Sequence, residues 1–246
     1  MNNSSLVDCI VKSPNHSGQR THAVDRITPH CVVGQLKAEN IGGCFTSENR
    51  KASSNYGIGY DGRVCLIVDE DNRSWCSSNA SNDQRAITIE CASDKTSPYA
   101  LNDAVYSKLI DLCVDICKRY GKKKLIWTDN KAVALNYVPK NDEMILTVHR
   151  WFSNTDCPGD WLYKRLNSLA EVVTNRLMSA SFRVRVDIDD LNIRKGPGTN
   201  YSKNGKTGKG VFTIIETKSG RGSKQGWGKL KSGAGWISLD YVHIIE

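Results

Sequence analysis

The feature that most constrains this chain is a change of period near residue 180. Before it, apolar residues recur at helical spacing. Val105, Leu109, Leu112, Cys113, Ile116 and Cys117 make one stripe over Asp103–Tyr120, and Gly121 follows as a stop. Leu162, Leu166, Leu169, Val172, Val173 and Leu177 make a second over Trp161–Leu177, with Asp160 placed to cap it. After Ala180 no helical period survives. Short alternating runs follow, "FRVRVDI", "LNIR", "VFTIIET", "GWGKLK" and "GWISLDYVHII", with glycine-rich turns between them. The two patterns predict two domains, 1–178 and 179–246, the second a small all-β barrel.

Strand-like runs alternate with the helices of the first part: "RITPHCVV", "NYGIGYDGRVCLIV", "RAITIECA" and "KKLIWT". Tyr60-Asp61-Gly62 reads as a hairpin turn within the second run. Strands mixed with helices at this length indicate an α/β layer structure.

Composition matters at three points. No run of about eighteen apolar residues occurs, so no membrane span is expected. The start, "MNNSSLVDCIVKSPN", has neither a basic n-region nor an apolar h-region. The expectation is therefore a chain made in the cytoplasm without a signal peptide. Nine cysteines, an odd number with none beyond Cys157, read as mostly free thiols. Cys113 and Cys117, one helical turn apart among apolar neighbours, read as core. Charge is uneven: residues 1–178 carry 22 Lys+Arg against 20 Asp+Glu, and residues 179–246 carry 12 against 6. A basic module suits a polyanionic partner or is simply a solvated surface.

Four places in the first part bear chemistry. "DRITPH" ends a strand on His30. "RAITIECAS" holds Glu90 inside an apolar strand. His149 and Cys157 flank the turn in "HRWFSNTDCPG". Imidazole and thiolate are natural Zn²⁺ ligands, and three protein ligands are usual for a catalytic zinc site; a closed structural site would want a fourth, and the chain has no CxxC pair. The same residues are equally compatible with a buried imidazole and an unrelated thiol. By strand alternation Thr88 and Glu90 share one face, opposite Ile87 and Ile89. On that face Glu90 is either solvated or lines a cleft as a proton acceptor.

The segments "DRITPH", "ASSNYGIGYDGRV", "NRSWCSSNASNDQRAITIECAS", "WTDNK" and "TVHRWFSNTDCPGDWLYKRL", in this order, resemble the zinc N-acetylmuramoyl-L-alanine amidases of the peptidoglycan-recognition and phage-lysozyme superfamily, and among these the phage endolysins. The resemblance implies a mixed central β-sheet flanked by helices, with Zn²⁺ held by His30, His149 and Cys157. It gives Glu90 the place of the catalytic glutamate, and the amide between N-acetylmuramic acid and L-alanine as the bond cleaved. Two positions depart from well-studied members. Thr155 stands where many carry a lysine that steadies the oxyanion, and Ser54 stands where some carry a tyrosine, with Tyr56 nearby. Cys76 and Cys91 lie near this set without being assigned to it. His16, His22 and His243 read as surface or structural histidines; Trp75 and Trp151 read as stacking or packing residues.

"DDLNIRKGPGTNYSKNGKTGKG", "GWGKL" and "GAGWISLDYV" resemble a bacterial SH3-like wall-binding domain, with Tyr201, Trp227, Trp236 and Tyr241 as its aromatic contacts. The resemblances together imply an endolysin acting on peptidoglycan and drawn to the wall, including anionic wall polymers. A bacterial autolysin of the same chemistry, a non-catalytic peptidoglycan-binding protein and a nucleic-acid-binding module are the competing classes; intact metal ligands and the absent signal favour the endolysin, with no nucleic-acid partner. Met178 at the boundary is placed to start an internal SH3-like fragment that associates with the full chain.

Overall fold

Residues 3–178 and 181–245 are described by the computed structural model. They fall into two units, Met1–Leu177 and Met178–Glu246. Among the described residues no helix is long and apolar enough to cross a membrane. All nine cysteines are free thiols.

The first unit is built on strands β1 (Cys9–Ile10), β2 (His16–Gln19), β3 (Arg26–Cys31), β4 (Tyr56–Ile58), β5 (Val64–Leu66), β6 (Asn72–Ser74), β7 (Ala86–Cys91), β8 (Lys124–Ile126) and β9 (Glu143–Leu146). Its helices are α1 (Ala38–Gly43), α2 (Ala80–Arg85), α3 (Asp103–Arg119), α4 (Lys131–Asn136), α5 (Asp160–Tyr163) and α6 (Leu166–Met178). Seven strands form one sheet in the order β1-β5-β4-β7-β3-β9-β8. The β4–β5 pair is antiparallel and joined through Gly62, as the hairpin reading requires; β4–β7, β7–β3 and β3–β9 are parallel. The sheet is therefore mixed, with β3 and β7 central and buried along nearly their whole length.

The β3–β7 register pairs Thr28 with Thr88 and His30 with Glu90. Their side chains share one face. Ile27, Ile87 and Ile89 take the other face and join the core with Leu109, Leu112 and Ile116 of α3. Pairing of β3 with β9 is confined to Arg26 and Ile27. It ends before Pro29, which has no N–H to offer a ladder.

Helix α3 begins where Asn102 accepts a hydrogen bond from Val105 N–H. It ends in a Schellman turn: Lys122 N–H reaches Cys117 O at 2.7 Å and Gly121 N–H reaches Lys118 O at 3.0 Å, with Gly121 at φ +67°. Cys113 and Cys117 are core, as their spacing indicates. The stripe over 161–177 is not one helix. Arg165 lays its guanidinium 4.0 Å from the centre of the Trp161 ring and donates to Trp161 O, the acceptor its own backbone N–H would use. That N–H bonds Leu162 O instead, and the chain breaks between α5 and α6. Asp160 is not the cap; Gly159 holds that position and Asp160 sits in the first turn of α5.

The second unit is all antiparallel. Its strands are β10 (Phe182–Val186), β11 (Asn192–Arg194), β12 (Lys203–Lys206), β13 (Gly210–Lys218), β14 (Trp227–Leu230), β15 (Trp236–Ser238) and β16 (His243–Ile245). They form one sheet in the order β12-β11-β15-β14-β13-β10-β16. Val184, Val186, Leu191, Ile193, Ile214, Leu230, Ile237 and Leu239 make its core, Val184 and Val186 from the inward phase of β10.

Candidate metal centre

Three side chains from three places converge. His30 comes from the end of β3, His149 from a 3-10 turn just after β9, and Cys157 from the loop before α5. Their ligand atoms all lie within 4.8 Å of one another. The Cys157 sulfur is 3.3 Å from His30 Nδ1, and the two imidazole rings are 5.0 Å apart between centres. His30 is 1% exposed. Its other nitrogen, Nε2, is buried with no hydrogen-bond partner.

The electrostatics suit a cation. Burial, and then the neighbouring charge of His149, hold the His30 pKa well below its ordinary value; burial lowers His149 as well. Both rings are thus neutral, with a lone pair free to donate. The Cys157 thiol is held well above its ordinary range, first by its hydrogen bond to Cys31 and then by burial. With no cation present it keeps its proton, which binding would release. Two neutral imidazoles and one thiol form a nitrogen and sulfur donor set of the kind that takes Zn²⁺. His30 Nδ1, which faces the Cys157 sulfur, is the ring nitrogen placed to join this donor set.

Glu90 lies next to His30 through the β3–β7 register. The residue is half-buried, but Oε2 is enclosed and unpartnered, and Oε1 accepts a long contact from the Cys76 thiol at 3.9 Å. Burial pushes its pKa up to about 7. Such a carboxyl exchanges protons near neutrality. His30, Glu90, His149, Thr155 and Cys157 border one cavity of about 540 Å³. Thr155 Oγ1 accepts from Cys157 N–H at 3.2 Å, which leaves its own hydroxyl proton free to point elsewhere.

Ser54, Tyr56 and Cys91 are committed to structure. Ser54 is fully buried and donates to Tyr56 O at 2.9 Å. Tyr56 pairs with Ile89, not Glu90, in the β4–β7 register, so it belongs to the opposite face. Its hydroxyl donates to Glu70 at 2.6 Å, and Glu70 also receives two bonds from Arg119. Cys91 is fully buried in the core. Trp151 is buried and stacked on Trp127 at 5.1 Å, whereas Trp75 borders a second cavity of about 400 Å³ that also touches His149. His22 and His243 are exposed; His16 is partly exposed in β2.

Arg150 has no place in a spacing argument, yet it binds the loop together. It donates to Asp160 at 2.9 Å and to Asp156 O, its N–H bonds Cys157 O at 3.1 Å, and its guanidinium lies 4.7 Å from the centre of the Tyr163 ring. Ser78 also touches His149, at 3.3 Å from Nε2. Both contacts join residues whose partners only the folded chain brings close.

In the second unit the four aromatics differ. Tyr201 and Tyr241 are exposed, at 44% and 59%, while Trp227 and Trp236 are buried, at 3% and 6%. Trp227 and Tyr241 border one cavity of about 260 Å³ with Asp190, Arg194 and Thr199. The Trp227 indole N–H is buried without a partner.

The N-acetylmuramoyl-L-alanine amidase family profile matches residues 20–160, which include every residue of the centre. The chain belongs to the N-acetylmuramoyl-L-alanine amidase family. Among solved structures it is similar to PlyL, at 16% identity over 68% of this chain and 96% of that one, with a TM-score of 0.46. It is also similar to a mutant endolysin from Bacillus subtilis, at 12% identity over 70% and 99%, TM-score 0.47. A third is the N-acetylmuramoyl-L-alanine amidase LysC from Clostridium intestinale URNW, at 14% identity over 65% and 95%, TM-score 0.45. No curated protein matches the chain.

Proposed function

We propose that this amidase is zinc-dependent, that His30, His149 and Cys157 hold the ion, and that it acts as an endolysin on the bond between N-acetylmuramic acid and L-alanine. The observation that carries the reading is the convergence of these three donors beside an enclosed carboxyl. When bound, Zn²⁺ supplies Lewis-acid polarisation of the carbonyl and lowers the pKa of water.

The chain's own groups do the rest. Glu90 takes a proton from the attacking water as oxygen adds to the lactyl carbonyl carbon. The same carboxyl then gives that proton to the alanine nitrogen as the C–N bond breaks, leaving a free carboxylate and a free amine. A carboxyl with a pKa of about 7 can both accept and return a proton near neutral pH. The Thr155 hydroxyl, on the cavity wall, donates to the carbonyl oxygen as charge develops there. This neutral donor replaces the lysine of related enzymes.

The second unit is read as an SH3-like module that keeps the enzyme on its insoluble substrate. Support comes from its excess of positive charge and from Tyr201 and Tyr241 at its surface.

The deciding experiment is mass spectrometry of digested peptidoglycan beside metal analysis of the purified protein. A new L-alanine amino terminus on intact glycan, one zinc per chain and loss of activity with chelator are expected. New reducing sugar ends, or zinc-free protein with full activity, would refute the reading.

A further inference from the structure

We propose that His30, Cys76 and Glu90 form a second seat for a thiophilic divalent cation, and that filling this seat switches off hydrolysis. The ligand atoms of these three residues lie within 4.8 Å of one another, as do those of the first set, and the two sets share only His30. Cys76 follows β6 and reaches Glu90 Oε1 at 3.9 Å. Two members of the second set carry buried polar atoms with no partner, Glu90 Oε2 and His30 Nε2. The remaining imidazole nitrogen, Nδ1, is the one that faces Cys157. A neutral imidazole carries one lone pair and one N–H, so a cation in each set makes His30 a bridging imidazolate.

One sulfur, one nitrogen and one carboxylate oxygen favour Zn²⁺ or Cd²⁺ over Mg²⁺ or Ca²⁺. Binding exchanges the Cys76 thiol proton for a metal–sulfur bond and the remaining His30 N–H proton for a metal–nitrogen bond; both protons, and that of Glu90 where it is held, leave to solvent, and no electrons move. Cys76 borders the cavity of about 400 Å³ that also touches His149, which gives an ion a path from solvent. Two dications this close repel each other, so the second binds more weakly than the first. The effect on turnover rests on the reading of Glu90 as the proton acceptor. A carboxylate whose charge is neutralised by a bound cation is a much weaker base toward the attacking water.

The test uses the full chain. Metal-stripped protein is titrated with Cd²⁺ while the thiolate-to-cadmium ultraviolet absorption is followed, in Cys76→Ser, Cys157→Ser and the double variant. Cys157→Ser should keep a band that the double variant lacks. Identical titrations of those two would overturn the second seat. Loss of the Cys157-dependent band in the Cys76→Ser background would instead overturn the first zinc site, so the two readings fail separately. In turnover assays excess Zn²⁺ should inhibit the wild type, and Cys76→Ser should need about tenfold more zinc for the same loss. Equal sensitivity would refute the inhibitory role. Cys76→Ala replaces Cys76→Ser if near-ultraviolet circular dichroism shows the serine variant misfolded.

Discussion

Glu90 shows how much one side chain owes to its neighbours. In a strand exposed to water it would ionise like any glutamate. Held beside His30 by the parallel register, with one oxygen enclosed, it is protonated up to about pH 7. Glu90→Gln should lower kcat/KM on the order of 10²–10⁴. Zinc content should stay at one per chain, because Glu90 is outside the first ligand set; a parallel loss of zinc would contradict its assigned role. A second outcome follows from linkage. The folded pKa, about 7, lies above the ordinary 4.5, so the folded metal-free chain binds this proton more tightly than the unfolded chain. Stability from this group is complete below pH 4.5 and is lost as pH rises through 7. Glu90→Gln should therefore stabilise metal-free protein relative to wild type by on the order of 2 kcal/mol at pH 8 and by little at pH 4. Urea unfolding at the two pH values measures the difference.

At the scale of elements, the segment from His149 to Asp160 decides whether two of the three ligands meet the third. Arg150 ties its two ends together, and Gly159 lets it enter α5 at φ +82°. A Cβ at Gly159 would stand 2.8 Å from both Pro98 O and Tyr99 Cβ. Arg150→Ala should weaken zinc binding about 10–100-fold in chelator competition, with the melting temperature of the metal-free protein nearly unchanged. Arg150→Lys should not restore it, because an ammonium cannot bond Asp160 and Asp156 O in the planar fork that Arg150 uses. Gly159→Ala should cost about 1–3 kcal/mol in denaturant unfolding. The α5–α6 break belongs here too. Its apolar stripe is continuous in sequence, but the backbone N–H of Arg165 bonds Leu162 O and not Trp161 O, and the helix breaks there.

At the scale of the molecule, the charge lies in the unit read as the wall anchor, with 12 Lys+Arg against 6 Asp+Glu in residues 179–246. Retention on an anionic wall should fall steeply between low and high salt, while hydrolysis of a small soluble muramyl peptide should change far less. Pull-down of the full chain with purified walls across a salt series measures the first. The aromatics should divide by burial. Tyr241→Ala should weaken wall retention with little loss of stability, whereas Trp236→Ala should cost about 3–5 kcal/mol of that unit's stability. Equal retention by Tyr241→Ala and wild type would remove Tyr241 from the binding surface.

Periodicity alone was enough for helix α3, the β4–β5 hairpin, the all-β character after residue 180 and the two faces of β7, because each is a local pattern of burial along one stretch of chain. Residue types left His30, Glu90, His149 and Cys157 as candidates among five histidines and nine cysteines, and the resemblance to the amidases singled them out. What local pattern cannot contain is register and proximity. The pairing of His30 with Glu90, the removal of Tyr56 to the far face, the end of β3–β9 pairing before Pro29 and the approach of Cys76 to Glu90 all join separated stretches of chain. They arise only when the strands are set side by side, because a contact between separated residues depends on where the backbone brings them and leaves no period in either segment.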